Sequence, residues 1–262
     1  MQIHANGIQM NYELSGRREA PVVALSHSLA SGLIMWEPQM SVLQGDFQVL
    51  RYDIRGHGKT EAPKGAYTME MLAHDAVALL DGLKIDKVHW VGLSLGGMIG
   101  QGLALNHSSR LRSLVLCDTG ARIPQEAQAM WEERIATARN QGMAALVEGT
   151  MERWFSSSFL QGNSPMVDRI REQCLATPVD GFIGCGEAIR KLNYLDRLGE
   201  IKLPALILVG ENDQGTPVAA SQAMQVRIKN SKLTVLPGAR HLSNIEAAEE
   251  FTKALLPFLK SV

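Results

Sequence analysis

Several familiar signals are missing from this sequence, and each absence removes a class of function. Cysteine is scarce: Cys117, Cys174 and Cys185 are the only three in 262 residues, an odd number without C-x-x-C spacing. That pattern fits neither a disulfide framework nor a zinc motif, and reduced thiols are expected. An excess of one charge is missing too, because 26 basic residues face 27 acidic ones and the net charge is -1. Nothing here invites nucleic acid or an anionic membrane surface. No apolar run approaches the length of a membrane span, and the opening Met1-Gln2-Ile3-His4-Ala5-Asn6-Gly7 has no basic segment followed by an apolar one. A soluble, cytoplasmic protein is the expectation. The nearest approach to a dinucleotide fingerprint, Asp53-Ile54-Arg55-Gly56-His57-Gly58, lacks its third glycine and reads as a turn bracing neighbouring loops. With no cluster at metal-ligand spacing either, no metal and no cofactor are predicted.

What is present is an alternation of strand and helix patterns. Asn6-Gly7 between two apolar runs predicts a hairpin, so the chain opens antiparallel. Strands are then expected at Val22–Ser26, Phe47–Tyr52, Val88–Leu93, Leu111–Cys117, Ala205–Val209 and Leu233–Leu236, with helices between them. Such alternation implies an α/β fold, a mainly parallel central sheet with helices on both faces. Thr68 is the expected N-cap of a helix over Met69–Leu83. Between residues 123 and 195 no strand-like run occurs and four helical patterns follow one another, one begun by Pro124 and two by Ser164-Pro165 and Thr177-Pro178. This stretch is predicted to be an all-helical cap inserted into a core made of 1–122 and 196–262, at a length that suits one α/β domain with an insertion.

The chemistry is concentrated in Gly92-Leu93-Ser94-Leu95-Gly96, a G-x-S-x-G placed between an apolar strand and a helical run. In that setting the chain must turn sharply, the glycines relieve the crowding, and Ser94 is left exposed at the tip of an elbow. A serine hydroxyl needs a general base, and the base needs an orienting group. His241 follows the last predicted strand and Asp213 follows the strand Ala205–Val209, which matches the chain order nucleophile, acid, histidine. Asp118, at the end of Leu111–Cys117, is the rival for the acid. An oxyanion would be held by the backbone N–H of Leu95, next to the serine, and of Leu29, in the loop His27-Ser28-Leu29-Ala30-Ser31-Gly32.

With these parts in order, the chain resembles the α/β-hydrolase fold superfamily with a helical cap. Tyr67-Thr68-Met69-Glu70-Met71-Leu72, Gly92-Leu93-Ser94-Leu95-Gly96-Gly97, Arg134-Ile135, Arg153-Trp154-Phe155, Gly184-Cys185-Gly186-Glu187-Ala188-Ile189-Arg190 and His241-Leu242-Ser243-Asn244-Ile245-Glu246 are similar to the 3-oxoadipate enol-lactonases. His27-Ser28 departs from the His-Gly usual in the wider superfamily. The resemblance implies hydrolysis of an enol-lactone through an acyl-enzyme, in the β-ketoadipate pathway of protocatechuate and catechol catabolism, with a small anionic lactone as partner. The lactone's carboxylate needs a cation in the pocket. The cap offers Arg134, then Arg190 and Arg153, with Trp131 and Trp154 as pocket walls. The triad itself also suits a serine carboxylesterase or a hydrolase of carbon–carbon bonds, and a slow-turnover ligand sensor could keep the same residues.

Overall fold

The computed structural model describes residues 1–262 and contains eight strands: β1 (Gln2–Ala5), β2 (Ile8–Gly16), β3 (Val22–Ser26), β4 (Gln48–Tyr52), β5 (Val88–Leu93), β6 (Leu111–Cys117), β7 (Ala205–Gly210) and β8 (Ser231–Leu236). They lie side by side in the order β1-β2-β4-β3-β5-β6-β7-β8. β1 and β2 are joined by Asn6 and Gly7, both at positive φ (47° and 77°), the geometry that matches a two-residue hairpin to the twist of its strands. β2 runs antiparallel to β4, and every pairing beyond it is parallel. β5 and β7 are buried at every residue, as continuous apolar strands covered on both faces must be. β8 starts two residues before the predicted Leu233, because Ser231 and Lys232 still pair with Ala205 and Leu206 despite their polarity.

Helices cover both faces. α1 (Glu37–Asp46), α2 (Met69–Gly82) and α3 (Leu95–Asn106) belong to the first half of the chain. Thr68 caps α2 by accepting the Met71 N–H at 3.1 Å, and Leu72, Ala76, Leu79 and Leu80 form its buried face. Between β6 and β7 five helices replace the four expected: α4 (Gln128–Gln141), α5 (Val147–Trp154), α6 (Ser157–Gln161), α7 (Pro165–Ala176) and α8 (Val179–Arg190). Pro124 precedes a short 3₁₀ turn rather than α4 itself. Thr177 does not cap α8: its hydroxyl donates back to Gln173 O at 2.9 Å, closing α7 instead. The chain then returns through α9 (Val218–Arg227), α10 (Ser243–Glu246) and α11 (Ala248–Ser261). No helix is long and apolar enough to cross a membrane.

The helical insertion leaves and re-enters the core at one point, where Ile123 N donates to Leu192 O (3.2 Å) and Tyr194 N to Ala121 O (2.7 Å). It is fastened again at its far side, since Leu242 N donates to Trp154 O (3.1 Å) and Arg240 reaches Phe155 O (3.2 Å). A third seam is steric. Gly56 in the core loop, at φ 80°, lies so close to Gly181 of α8 that a Cβ on Gly181 would sit 1.9 Å from Gly56 O. Backbone meets backbone there because neither residue has a side chain to hold them apart.

Candidate active site

The elbow is built by exclusion of side chains. A Cβ on Gly92 would stand 2.1 Å from Gly96 O, and one on Gly96 would stand 2.1 Å from Ser26 O, so only glycine lets β5 turn directly into α3. Ser94 pays for the turn with φ 55° and ψ −114°, a conformation that L residues rarely hold. Its backbone is fixed on every side. The N–H donates to Cys117 O at 2.9 Å, and the carbonyl accepts from Gly97 N (2.9 Å), Met98 N (3.0 Å) and Thr119 Oγ1 (2.8 Å). The Oγ makes no hydrogen bond within the protein, and the residue keeps 8% exposure at the N-terminus of α3.

Asp213 and His241 come together across the C-terminal ends of β7 and β8. Asp213 Oδ2 accepts the His241 Nδ1–H at 2.8 Å and the Thr216 hydroxyl at 2.6 Å, while Oδ1 accepts the N–H groups of Gly215 (2.8 Å) and Thr216 (3.1 Å). Burial pushes this carboxyl up, but the charge and hydrogen bond of His241 and the bonds from Thr216 outweigh it and hold the group at about 2. Burial likewise opposes charging of His241, and the adjacent Asp213 overcomes it, so the imidazole titrates above its ordinary value. With Nδ1–H committed to Asp213, Nε2 is the nitrogen left to take a proton.

Asp118 is completely buried at the end of β6 but does not bond the imidazole. Its Oδ1 accepts Gly210 N–H at 2.7 Å, and its Oδ2 is hydrogen-bonded to the Ser243 hydroxyl. In the loop after β3, Ser28 N–H points to the Met35 sulfur (3.3 Å), Ala30 N–H donates to His57 Nε2 (2.9 Å) and Ser31 N–H to Ser28 O (3.3 Å). Of these four successive N–H groups, Leu29's alone donates none within the protein, and neither does Leu95's at the start of α3.

The cap supplies cations that the protein itself leaves unpaired. Arg134 of α4 lies over the Trp131 ring (4.7 Å to its centroid) and the Phe182 ring (5.6 Å), with no carboxylate against it and a buried Nε that has no partner. Burial, then the charge of Arg153, pulls its guanidinium down to about 9. Arg153 of α5 bonds only the Thr150 hydroxyl, at 3.1 Å, and burial lowers it too. The charge of Arg134 is felt by His241, whose protonation it slightly disfavours. Trp131 and Trp154 are both buried. Arg190 corrects the expectation: its guanidinium is paired with Glu132 (2.7 Å) and Glu187 (2.8 Å), which leaves no fork for a ligand. No group of three His, Cys, Asp or Glu side chains converges in the way metal ligands do.

Residues 21–248 match the family model described as alpha/beta hydrolase fold. The chain belongs to the α/β-hydrolase family. It is 33% identical to 3-oxoadipate enol-lactonase 2 of Acinetobacter baylyi over 98% of this chain and 95% of that one. Among solved structures, the enol-lactonase from Burkholderia xenovorans superposes with a TM-score of 0.96 at 37% identity, covering 99% of this chain and all (100%) of the other. A thermophilic esterase from Thermogutta terrifontis, solved with malate bound, gives 0.93 at 28% identity over 100% of this chain and 98% of that one. The protein is thus a hydrolase of the α/β-hydrolase family, similar in both sequence and shape to enol-lactonases.

Thr216 had no reading in the sequence, and the turn expected to brace neighbouring loops at residues 53–58 had no named partner there. Thr216 gives Asp213 two of its four hydrogen bonds, and its place three residues on, the span of a side-chain-closed turn, was the available signal. His27 and His57 form a buried pair, ring centroids 5.3 Å apart, that ties the loop after β3 to residues 53–58. Each Nε2 accepts a backbone N–H, from Ile54 and Ala30 respectively, which requires neutral rings; burial lowers His57 to about 3 and lowers His27 as well.

Proposed function

We propose that this α/β-hydrolase opens a small lactone bearing a free carboxylate, the enol-lactone of 3-oxoadipate, as a step of protocatechuate and catechol catabolism. Ser94 Oγ attacks the ring carbonyl while His241 Nε2 takes its proton, and Asp213 holds the imidazole in the required tautomer and stabilises the imidazolium. The N–H groups of Leu29 and Leu95 receive the oxyanion. Collapse breaks the ring C–O bond and leaves an acyl-enzyme. The departing enolate takes up the proton held on His241 Nε2, directly or through water, and ends as the ketone, which removes the nucleophile for the reverse step and returns the imidazole to its neutral form. Water, deprotonated by His241, then releases the dicarboxylate.

The observation that carries the substrate class is the pair Arg134 and Arg153, half-buried in the cap, with the Arg134 Nε wholly buried and unpartnered, and no carboxylate of the protein's own against either. A buried guanidinium left without a counter-charge is costly, and a ligand carboxylate relieves that cost through two charge-assisted hydrogen bonds. Trp131 and Phe182 hold Arg134 flat from its apolar sides, and Trp154 walls the neighbouring space. The enol-lactonase names of relatives in Acinetobacter baylyi and Burkholderia xenovorans support the same choice. The test is turnover of the enol-lactone beside a neutral aryl ester. Ser94→Ala is expected to remove both activities, by up to about 10⁶-fold in kcat. Arg134→Met is expected to lower kcat/KM for the lactone by about 2–4 kcal/mol and to leave the neutral ester nearly unchanged. Equal loss on both substrates removes Arg134 from recognition, and a wild-type enzyme that prefers the ester identifies a carboxylesterase.

A further inference from the structure

Cys117, the last residue of β6, and the two residues that follow it touch all three loops that carry the proposed triad. Cys117 O accepts Ser94 N–H (2.9 Å), and Thr119 Oγ1 donates to Ser94 O (2.8 Å), so the serine elbow is pinned from both sides of Asp118. The Asp118 N–H donates to Leu208 O in β7 (2.8 Å). Its side chain then reaches forward to two places: Gly210, which opens the loop of Asp213, and Ser243, two residues after His241. Asp118 holds φ 43°, a left-handed conformation that costs a non-glycine residue energy and persists only where the surroundings enforce it. That backbone turn is what sends the carboxyl across the sheet end.

We infer that Asp118 is a positioning residue, a buried latch whose carboxyl fastens the acid loop and the histidine loop to the strand end that already holds the serine elbow. The inference rests on the reading of Ser94, Asp213 and His241 as the catalytic set. The surroundings of the latch disfavour charge on it. The ionisable groups that face it are Asp213 on the acid loop, His241 on the histidine loop and its chain neighbour Cys117. Burial, reinforced by the negative charge of Asp213, pushes the Asp118 carboxyl well up, against the opposing pull of His241 and the hydrogen bonds from Ser243 and Gly210. In the un-ionised form the carbonyl oxygen accepts Gly210 N–H and the acid O–H donates to the Ser243 hydroxyl. An asparagine amide presents the same acceptor and the same donor, whereas alanine presents neither.

The experiment measures steady-state kinetics of Asp118→Asn, Asp118→Ala, Ser243→Ala and Asp213→Asn on a neutral aryl ester, with pH profiles and thermal melts of each. A neutral ester is used so that the cap arginines play no part. Asp118→Asn is expected to keep kcat within about threefold and to leave the acid limb of the profile where it was, because no charge is lost. Asp118→Ala is expected to lower kcat by about 10²-fold with KM almost unchanged, the mark of misplaced catalytic groups around an intact pocket. Should Asp118→Ala fail to fold, Ser243→Ala decides: it severs only the link to the histidine loop and is expected to lower kcat roughly tenfold with a small change in melting. Full activity in Ser243→Ala together with full activity or mere instability in Asp118→Ala overturns the latch. So does an Asp118→Asn as inactive as the alanine with its acid limb displaced, which would show that the residue acts by charge. Asp213→Asn with undiminished activity sinks the catalytic reading instead, whatever the Asp118 variants do.

Discussion

Two aspartates a few residues' reach apart carry opposite electrostatic histories. Asp213 receives four hydrogen bonds and sits against an imidazole, and the result is a carboxylate held at about 2; Asp118 is sealed behind it and pushed the other way. Their effects on stability therefore differ in sign. Asp213, depressed below its unfolded value of 3.8, stabilises the fold above that value and loses its contribution as pH falls toward 2. Asp118, raised above 3.8, binds a proton more tightly folded than unfolded, so its contribution declines as pH climbs from 3.8 toward its folded value. Asp118→Asn removes that decline, and its melting temperature is expected to gain on the wild type steadily as pH is raised from about 4; parallel curves would contradict an un-ionised Asp118. His241 makes a prediction of its own. Turnover requires the neutral ring, so kcat/KM should fall on the acid side at a pH above that of an ordinary imidazole, and Asp213→Asn, by deleting what raises it, should move this limb to lower pH while cutting kcat.

At the scale of the element, the turn from β5 into α3 is the part most readable from residues alone. Gly92, Ser94 and Gly96 fall where a strand pattern becomes a helix pattern, and the geometry needs glycine at both flanks. Gly96→Ala would force a Cβ to within 2.1 Å of Ser26 O, a backbone atom that cannot step aside. A loss of roughly 2–4 kcal/mol in stability is expected, with the elbow opened and the Leu95 N–H turned away, readable as a lower midpoint in urea and a kcat that falls further than stability explains. The loop after β3 was less readable. Which N–H groups it leaves free depends on His57, 27 residues from Ala30, accepting one of them. Similarly, the insertion yielded one helix fewer from pattern than it contains, because α6 spans only five residues and offers less than two turns of periodicity.

Across the whole molecule, the succession of strands and helices along the chain was accessible because each βα unit announces itself in sequence, but the partners of surface and buried charges were not. Glu187 and Arg190 stand three apart on α8, a spacing that already hinted at an ion pair, whereas Glu132 joins them from 58 residues away. Arg134 gave no sign that it would be left without a partner. Asp118 could be placed at a strand end, yet its bond to Ser243 spans 125 residues, beyond any local pattern. The way the insertion is seated carries a further prediction. Gly181→Ala would drive a Cβ against the Gly56 carbonyl and lift α8 from the core, and a lower melting temperature together with weaker discrimination between anionic and neutral substrates is expected, since Phe182 would move with the helix and leave Arg134 of α4 without the ring it lies over. That glycine seam also has a bearing on descent. A side chain at Gly56 or Gly181 would meet backbone that cannot step aside, while Arg134, Trp131 and Phe182 touch one another through side chains and can be exchanged one at a time. Lineages that acquired new substrates on this scaffold are therefore expected to have kept both glycines and rewritten the ring around Arg134, so that substrate preference drifts while the roof stays where it is.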